Sequence, residues 1–154
     1  MKLLSFVLPL LLLLSCAAYK DVSAPKVSEL IKANGTKEQL FLRSNEWAIR
    51  AFANPQCEIQ YNDKNEGKII GKFLMNTKND PYFLSDVFSV ITITVNDKIA
   101  RIEIDPLPWK YSRLSLYISI YKPETAQKDM HKLVESYKAF MESHSSGSDQ
   151  LVSR

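Results

Sequence analysis

The apolar and polar positions of this chain change period several times, and each change marks an element. Leu40, Phe41, Trp47, Ala48, Ala51 and Phe52 recur at helical spacing. Thr36, with Gln39 three residues on, is the capping-box signature of a helix start, and Pro55 closes the run. From Cys57 the period becomes two. Cys57 to Tyr61 and Lys68 to Met75 read as strands joined by the polar turn Asn62 to Gly67. After a loose polar stretch, Val87 to Val95 and Lys98 to Ile104 form a hairpin around Asn96-Asp97, a pair suited to a type I′ turn. That loop places Val95 opposite Lys98, Ile93 opposite Ala100 and Ile91 opposite Ile102, with Thr92, Arg101, Val90 and Glu103 on the other face. Pro106-Leu107-Pro108-Trp109 breaks the sheet. Arg113 to Tyr121 alternates again, and Pro123 opens a closing helix whose apolar face is Ala126, Met130, Leu133, Val134, Tyr137 and Phe140 or Met141. One-sided helices and a one-sided sheet pack as an α+β two-layer sandwich.

The first 15 residues follow none of these patterns. Lys2 is followed by an almost unbroken apolar run from Leu3 to Leu14, a helix of only ~18 Å, short of the ~30 Å hydrocarbon core. A short greasy run after one positive charge, ending in small residues, reads as a secretory signal peptide. Leu13-Leu14-Ser15-Cys16 resembles the lipobox of bacterial lipoproteins. The resemblance implies acylation of the Cys16 sulfur and cleavage before it; ordinary cleavage after Ala17 or Ala18 is the rival. Either way Cys57 has no intramolecular disulfide partner in the mature chain, and it reads as a buried structural thiol. The expected organisation is a signal peptide over 1–15, a polar tether over 16–25, one domain over 26–144 and a flexible tail over 145–154.

Composition narrows the class. Of 154 residues, 45% are hydrophobic and 24% charged, with a net charge of +3 and two cysteines. These values exclude a disordered chain, a multispan membrane protein and a disulfide-dense scaffold, and they give no support to a strongly basic nucleic-acid binder.

Candidate chemistry is sparse. Asp63, Asn65 and Gly67 mimic the start of a calcium loop, but the twelfth position, where an EF-hand needs glutamate, is Leu74; the segment reads as a hairpin turn. Gly71, inside a strand, marks a bulge or close packing. The two histidines, His131 and His144, have no metal-ligand spacing around them, and no phosphate-cradling glycine loop exists, so no cofactor or metal is expected. Trp109, Tyr111, Tyr117 and Tyr121 are the best candidates for a ligand or partner surface: exposed aromatic rings suit sugars, peptides or partner proteins.

Thr36 to Phe41, Asn45-Glu46-Trp47, Ile59 to Lys64 and Glu66 to Lys72, in that order and spacing, resemble an uncharacterised domain-of-unknown-function family with a TATA-binding-protein-like (TBP-like) fold, common in exported proteins and lipoproteins of Gram-negative gut bacteria. The resemblance covers Val27 to Asp105 and implies a β-α-β(4)-α sandwich. It promotes Val27 to Ala33, whose own alternation is poor, to a first strand; a further strand over 113–121 departs from the pattern. The fold's name does not imply DNA binding, because fold does not carry function.

Together these features point to an exported, lipid-anchored envelope protein acting as a non-catalytic binding or assembly module. Its expected contacts are the membrane, through the acyl anchor, and an envelope protein or glycan. The alternatives are a periplasmic enzyme with a site on the polar sheet face around Arg101, Glu103 and Asp105, or a structural, self-associating envelope protein.

Overall fold

A computed structural model describes residues 19–76, 86–112 and 121–143. The leader, Cys16, Tyr117 and its neighbours, His144 and the tail lie outside the described residues. The elements run β1 (Tyr19–Val22), β2 (Val27–Lys32), α1 (Lys37–Ala51), β3 (Glu58–Asp63), β4 (Lys68–Asn76), β5 (Val87–Asn96), β6 (Ile99–Pro106), β7 (Trp109–Ser112) and α2 (Pro123–Ser143). Strands β2 to β6 form an antiparallel sheet in the order β2-β6-β5-β4-β3, and β1 pairs with β7 in a separate ribbon. This is the expected mixed α+β sandwich, with both helices packed on one face of the sheet.

The inner face follows the alternation in the sequence. Ile69, Ile91, Ile93, Val95, Ala100, Ile102 and Ile104 are buried there against Leu40, Phe41, Trp47 and Ala48 of α1 and Ala126, Met130, Val134, Tyr137 and Met141 of α2. Helix α1 begins as predicted: the Thr36 side chain accepts from the Gln39 backbone N–H, and the Gln39 side chain accepts from that of Thr36. The Asp97 carboxylate accepts a further orphan donor, the Lys37 N–H, at 2.7 Å, which also places negative charge at the helix's positive end. Helix and hairpin thereby brace each other.

The hairpin differs from expectation by one position. Its turn is Asp97-Lys98, with Asn96 opposite Ile99, Val95 opposite Ala100, Ile93 opposite Ile102 and Ile91 opposite Ile104. The expected loop would have seated Lys98 beside Val95 on the buried face. The observed register moves Lys98 into the turn and sets each apolar residue against another, so burial outweighs the preference for Asn-Asp in the loop. Lys98 takes φ 62, and it is the only non-glycine residue with positive φ among those described, so the turn is not type I′. Its backbone is held from both sides, donating to Gly35 O and accepting from Ala33 N.

The remaining turns behave as read. The Asp63 carboxylate accepts from the backbone N–H groups of Asn65 and Glu66, and Gly67 has φ 69. A Cβ at Gly71 would lie 2.4 Å from the Phe52 ring, so this glycine marks close packing of the end of α1 on the sheet. Cys57 is half-buried rather than buried, and its sulfur accepts from Leu74 N–H.

Tyr19–Val22, expected to belong to a polar tether, is strand β1. Tyr19 lies opposite Ser112 and Val22 opposite Trp109, in the same register that sets Val27 opposite Ile104. The two ladders are therefore one long strand pair, interrupted where Pro25, Pro106 and Pro108 cannot donate. The interruption also shifts the alternation by one residue. On β6 the even positions Ala100, Ile102 and Ile104 are buried, whereas on β7 it is Trp109 that points inward.

Candidate functional site

The face of the sheet opposite the helices carries the side chains that the core rejects. Along β6 these are Ile99, Arg101, Glu103 and Asp105; along β5, Val90, Thr92, Thr94 and Asn96. At the β2 side they form a shallow groove of about 490 Å³ lined by Leu30, Thr94, Asn96, Ile99, Arg101 and Glu103. Leu30 is 49% exposed and Ile99 38% exposed, a high value for large aliphatic side chains. Arg101 faces Leu30 across the β2/β6 ladder, and Glu103 faces Ser28, whose hydroxyl reaches the carboxylate at 3.5 Å. The groove thus combines an apolar floor with one positive and one negative group. Farther along this face the Lys72 ammonium sits 4.0 Å from the Phe88 ring centroid, a cation–π contact that holds the amine over the sheet.

Arg101 and Glu103, named from the sequence for the polar face, both line the groove. Asp105 is on the same face but opposite Val90, outside it. The contribution of Leu30 and Ile99 was missed. Ile99 could have been found, because it shares the outward parity of Arg101 and Glu103 yet is aliphatic. Leu30 was hidden by the poor alternation of β2.

The predicted aromatic surface is not formed by Trp109 and Tyr121. Trp109 is 2% exposed and Tyr121 7%. The Trp109 indole N–H donates to the Tyr121 carbonyl at 3.1 Å, and the two rings lie 5.9 Å apart. The Tyr121 hydroxyl donates to the Asp129 carboxylate on α2, whose other oxygen accepts from Lys132. Burial first, and then the Asp129 charge, push the Tyr121 hydroxyl well above the usual phenol range. These two residues clamp the β7 ribbon to the start of α2. The proline-induced phase shift turned Trp109 inward, against the alternation running out of β6. Tyr111 lies in β7, opposite Lys20.

Among the described residues, no group of three or more His, Cys, Asp and Glu side chains is placed to hold a metal ion. No described helix is long and apolar enough to cross a membrane. His131 is exposed on α2.

Comparison with known proteins bears on the fold. A TBP-like protein of Parabacteroides distasonis is 18% identical, with a TM-score of 0.50, over 82% of this chain and 97% of that one. A DUF4468 family protein of Bacteroides ovatus is 16% identical, with a TM-score of 0.45, over 75% and 81%. A protein of Nitrosospira multiformis is 14% identical, with a TM-score of 0.44, over 79% and 99%. The search of curated proteins finds no match. The family model of a domain of unknown function (DUF4468) with TBP-like fold matches residues 28–107, from β2 to the end of β6, which is the region that builds the groove. The chain belongs to that family.

Proposed function

We propose that this protein is an envelope lipoprotein, anchored through Cys16, whose open sheet face is a non-catalytic binding or assembly surface. The observation that carries the reading is the groove on that face, where Leu30 and Ile99 stay exposed between Arg101 and Glu103. Exposed aliphatic groups flanked by charges of both signs suit an extended protein segment that offers an apolar side chain between an acidic and a basic group. The anchor is supported by Leu13-Leu14-Ser15-Cys16 at the end of the apolar leader. Acyl chains contribute ~0.8 kcal/mol per buried methylene, and two or more chains hold a protein stably on a bilayer.

Two experiments test these parts separately. Cys16→Ser should abolish metabolic palmitate labelling and release the protein from membranes; unchanged membrane association, with no label in the parent chain, sinks the anchor. Photo-crosslinking residues placed at Leu30 and Ile99 in the native envelope should give one shared adduct. A third probe at Leu42, which is 56% exposed on α1, should not give it. Equal adducts at all three positions, or none at the groove, would count against the binding face.

A further inference from the structure

The position of β1 has a consequence for how the domain meets the bilayer. A polar tether over 16–25 would let an anchored domain tumble freely. The chain is instead paired from Tyr19 onward, with Tyr19 opposite Ser112. Only Ala17 and Ala18 separate a lipidated Cys16 from that strand. Three Cα–Cα steps of ~3.8 Å span at most about 11 Å, enough to clear a headgroup layer of roughly 5–8 Å by only a few ångströms.

We infer that the β1/β7 ribbon is a membrane-proximal stand, which holds the domain upright against a lipid surface with its tight turns pointing away. This rests on the anchored reading above. The direction follows from the ladder. β1 and β2 run in one register against β7 and β6, so the chain travels from the bilayer along the whole strand pair. From Tyr19 to Lys32 that path is roughly 40 Å at ~3.3 Å per residue. At its far end the Lys98 carbonyl accepts from Ala33, just past β2, and the Asp97 carboxylate caps α1. The β3–β4 turn lies at the same end, where Val95 donates to the Gly67 carbonyl and the Lys37 ammonium donates to Asn65 O at 2.6 Å. The ribbon is tied to the body of the domain, because Trp109 is buried and hydrogen-bonded to Tyr121, and Trp109 and Ala24 both belong to the main core. Trp109 and β1 both lie outside residues 28–107, the segment matched by the family model.

The upright pose fixes the direction in which the groove is offered. The outer sheet face stands across the bilayer plane, open sideways to an envelope partner, and the Asp97-Lys98 and Asp63 to Gly67 turns point into the compartment. A flexible tether would present every face equally.

The test uses the full-length lipoprotein in native membranes or in liposomes of envelope lipid, in a Cys57→Ser background. A donor dye is placed at Ser23→Cys, exposed beside the ribbon, or at Asn65→Cys, exposed in the distal turn, and energy transfer is read to an acceptor on the lipid headgroups. Transfer should be strong from position 23 and weak from position 65. Inserting about 20 Gly/Ser residues after Ala18 should lower the first and erase most of the difference. Equal transfer from both positions in the uninserted, palmitate-labelled chain overturns the upright pose while leaving the anchor intact. Absence of palmitate label overturns the anchor, and the pose with it.

Discussion

Ser44 and Tyr137 form a polar node at the centre of the α1–α2 contact, and a double-mutant cycle on this pair is a sharp test of the packing. Both residues are fully buried. The Ser44 hydroxyl is 2.7 Å from the Leu40 carbonyl and 2.7 Å from the Tyr137 hydroxyl. A serine hydroxyl has one proton, and the carbonyl can only accept, so Ser44 donates to Leu40 and the tyrosine donates to Ser44. The two single substitutions are therefore unequal. Ser44→Ala strands a buried phenol O–H and should cost about 2 kcal/mol. Tyr137→Phe removes the donor but leaves Ser44 bonded to Leu40, and should cost about 1 kcal/mol. The double variant strands nothing, so it should be no worse than Tyr137→Phe alone, a coupling of about 2 kcal/mol. Urea titration followed by tryptophan fluorescence reads this directly, since the Trp47 ring meets Tyr137 edge-on at 5.0 Å. Additivity to within about 0.5 kcal/mol would refute the node and the directionality assigned to it.

Four further outcomes follow from the same structure. Trp109→Ala should lose roughly 3–5 kcal/mol in the same titration, the cost of an emptied aromatic core site, whereas an exposed binding residue would lose almost nothing. Ser89→Ala should raise stability by about 1 kcal/mol in a urea midpoint measurement, because the Ser89 hydroxyl is buried on the inner face without a hydrogen-bond partner among the described residues. Gly67→Ala should cost more than about 1 kcal/mol, since φ is 69 and a Cβ would lie 2.5 Å from the Val95 carbonyl; a midpoint matching the parent would contradict that geometry. Burial raises the Tyr137 phenol above its ordinary 10.0, and a Ser44 hydroxyl turned from Leu40 toward the phenolate offsets only part of this. The unfolded chain then ionises first, so this contribution is present below pH 10 and is lost above it at about 1.4 kcal/mol per pH unit. Tyr137→Phe should flatten the alkaline limb of a stability–pH curve, and an unchanged slope would contradict the burial.

Local signals were legible wherever one short segment carries its own physics. The Thr36–Gln39 box announced α1, Asp63 and Gly67 announced a turn, and period-two alternation assigned the inner and outer faces of β5 and β6. The candidate site was half legible. Arg101, Glu103 and Ile99 share the predicted outward face of β6, while Leu30 joined them through the pairing of β2 with β6, two strands far apart in the chain. The hairpin register shows the limit clearly. Asn96-Asp97 and Asp97-Lys98 preserve the same two faces, so alternation cannot choose between them. The choice came from setting Val95 against Ala100 and from the backbone bonds of Gly35 and Ala33 to Lys98.

The sequence by itself determined the class of fold, the helix start and the apolar faces, because each depends on residues within a turn or two of one another. Tertiary structure alone decided that Tyr19–Val22 is a strand rather than a tether, and that Trp109 is core rather than surface. Both depend on how two distant segments meet across a proline break. Polar residues in β1 conceal a backbone that needs a partner, and no local pattern records that β7 supplies one. The break at Pro25, Pro106 and Pro108 then turns the alternation over by one residue, a change of face that only the paired strands can set.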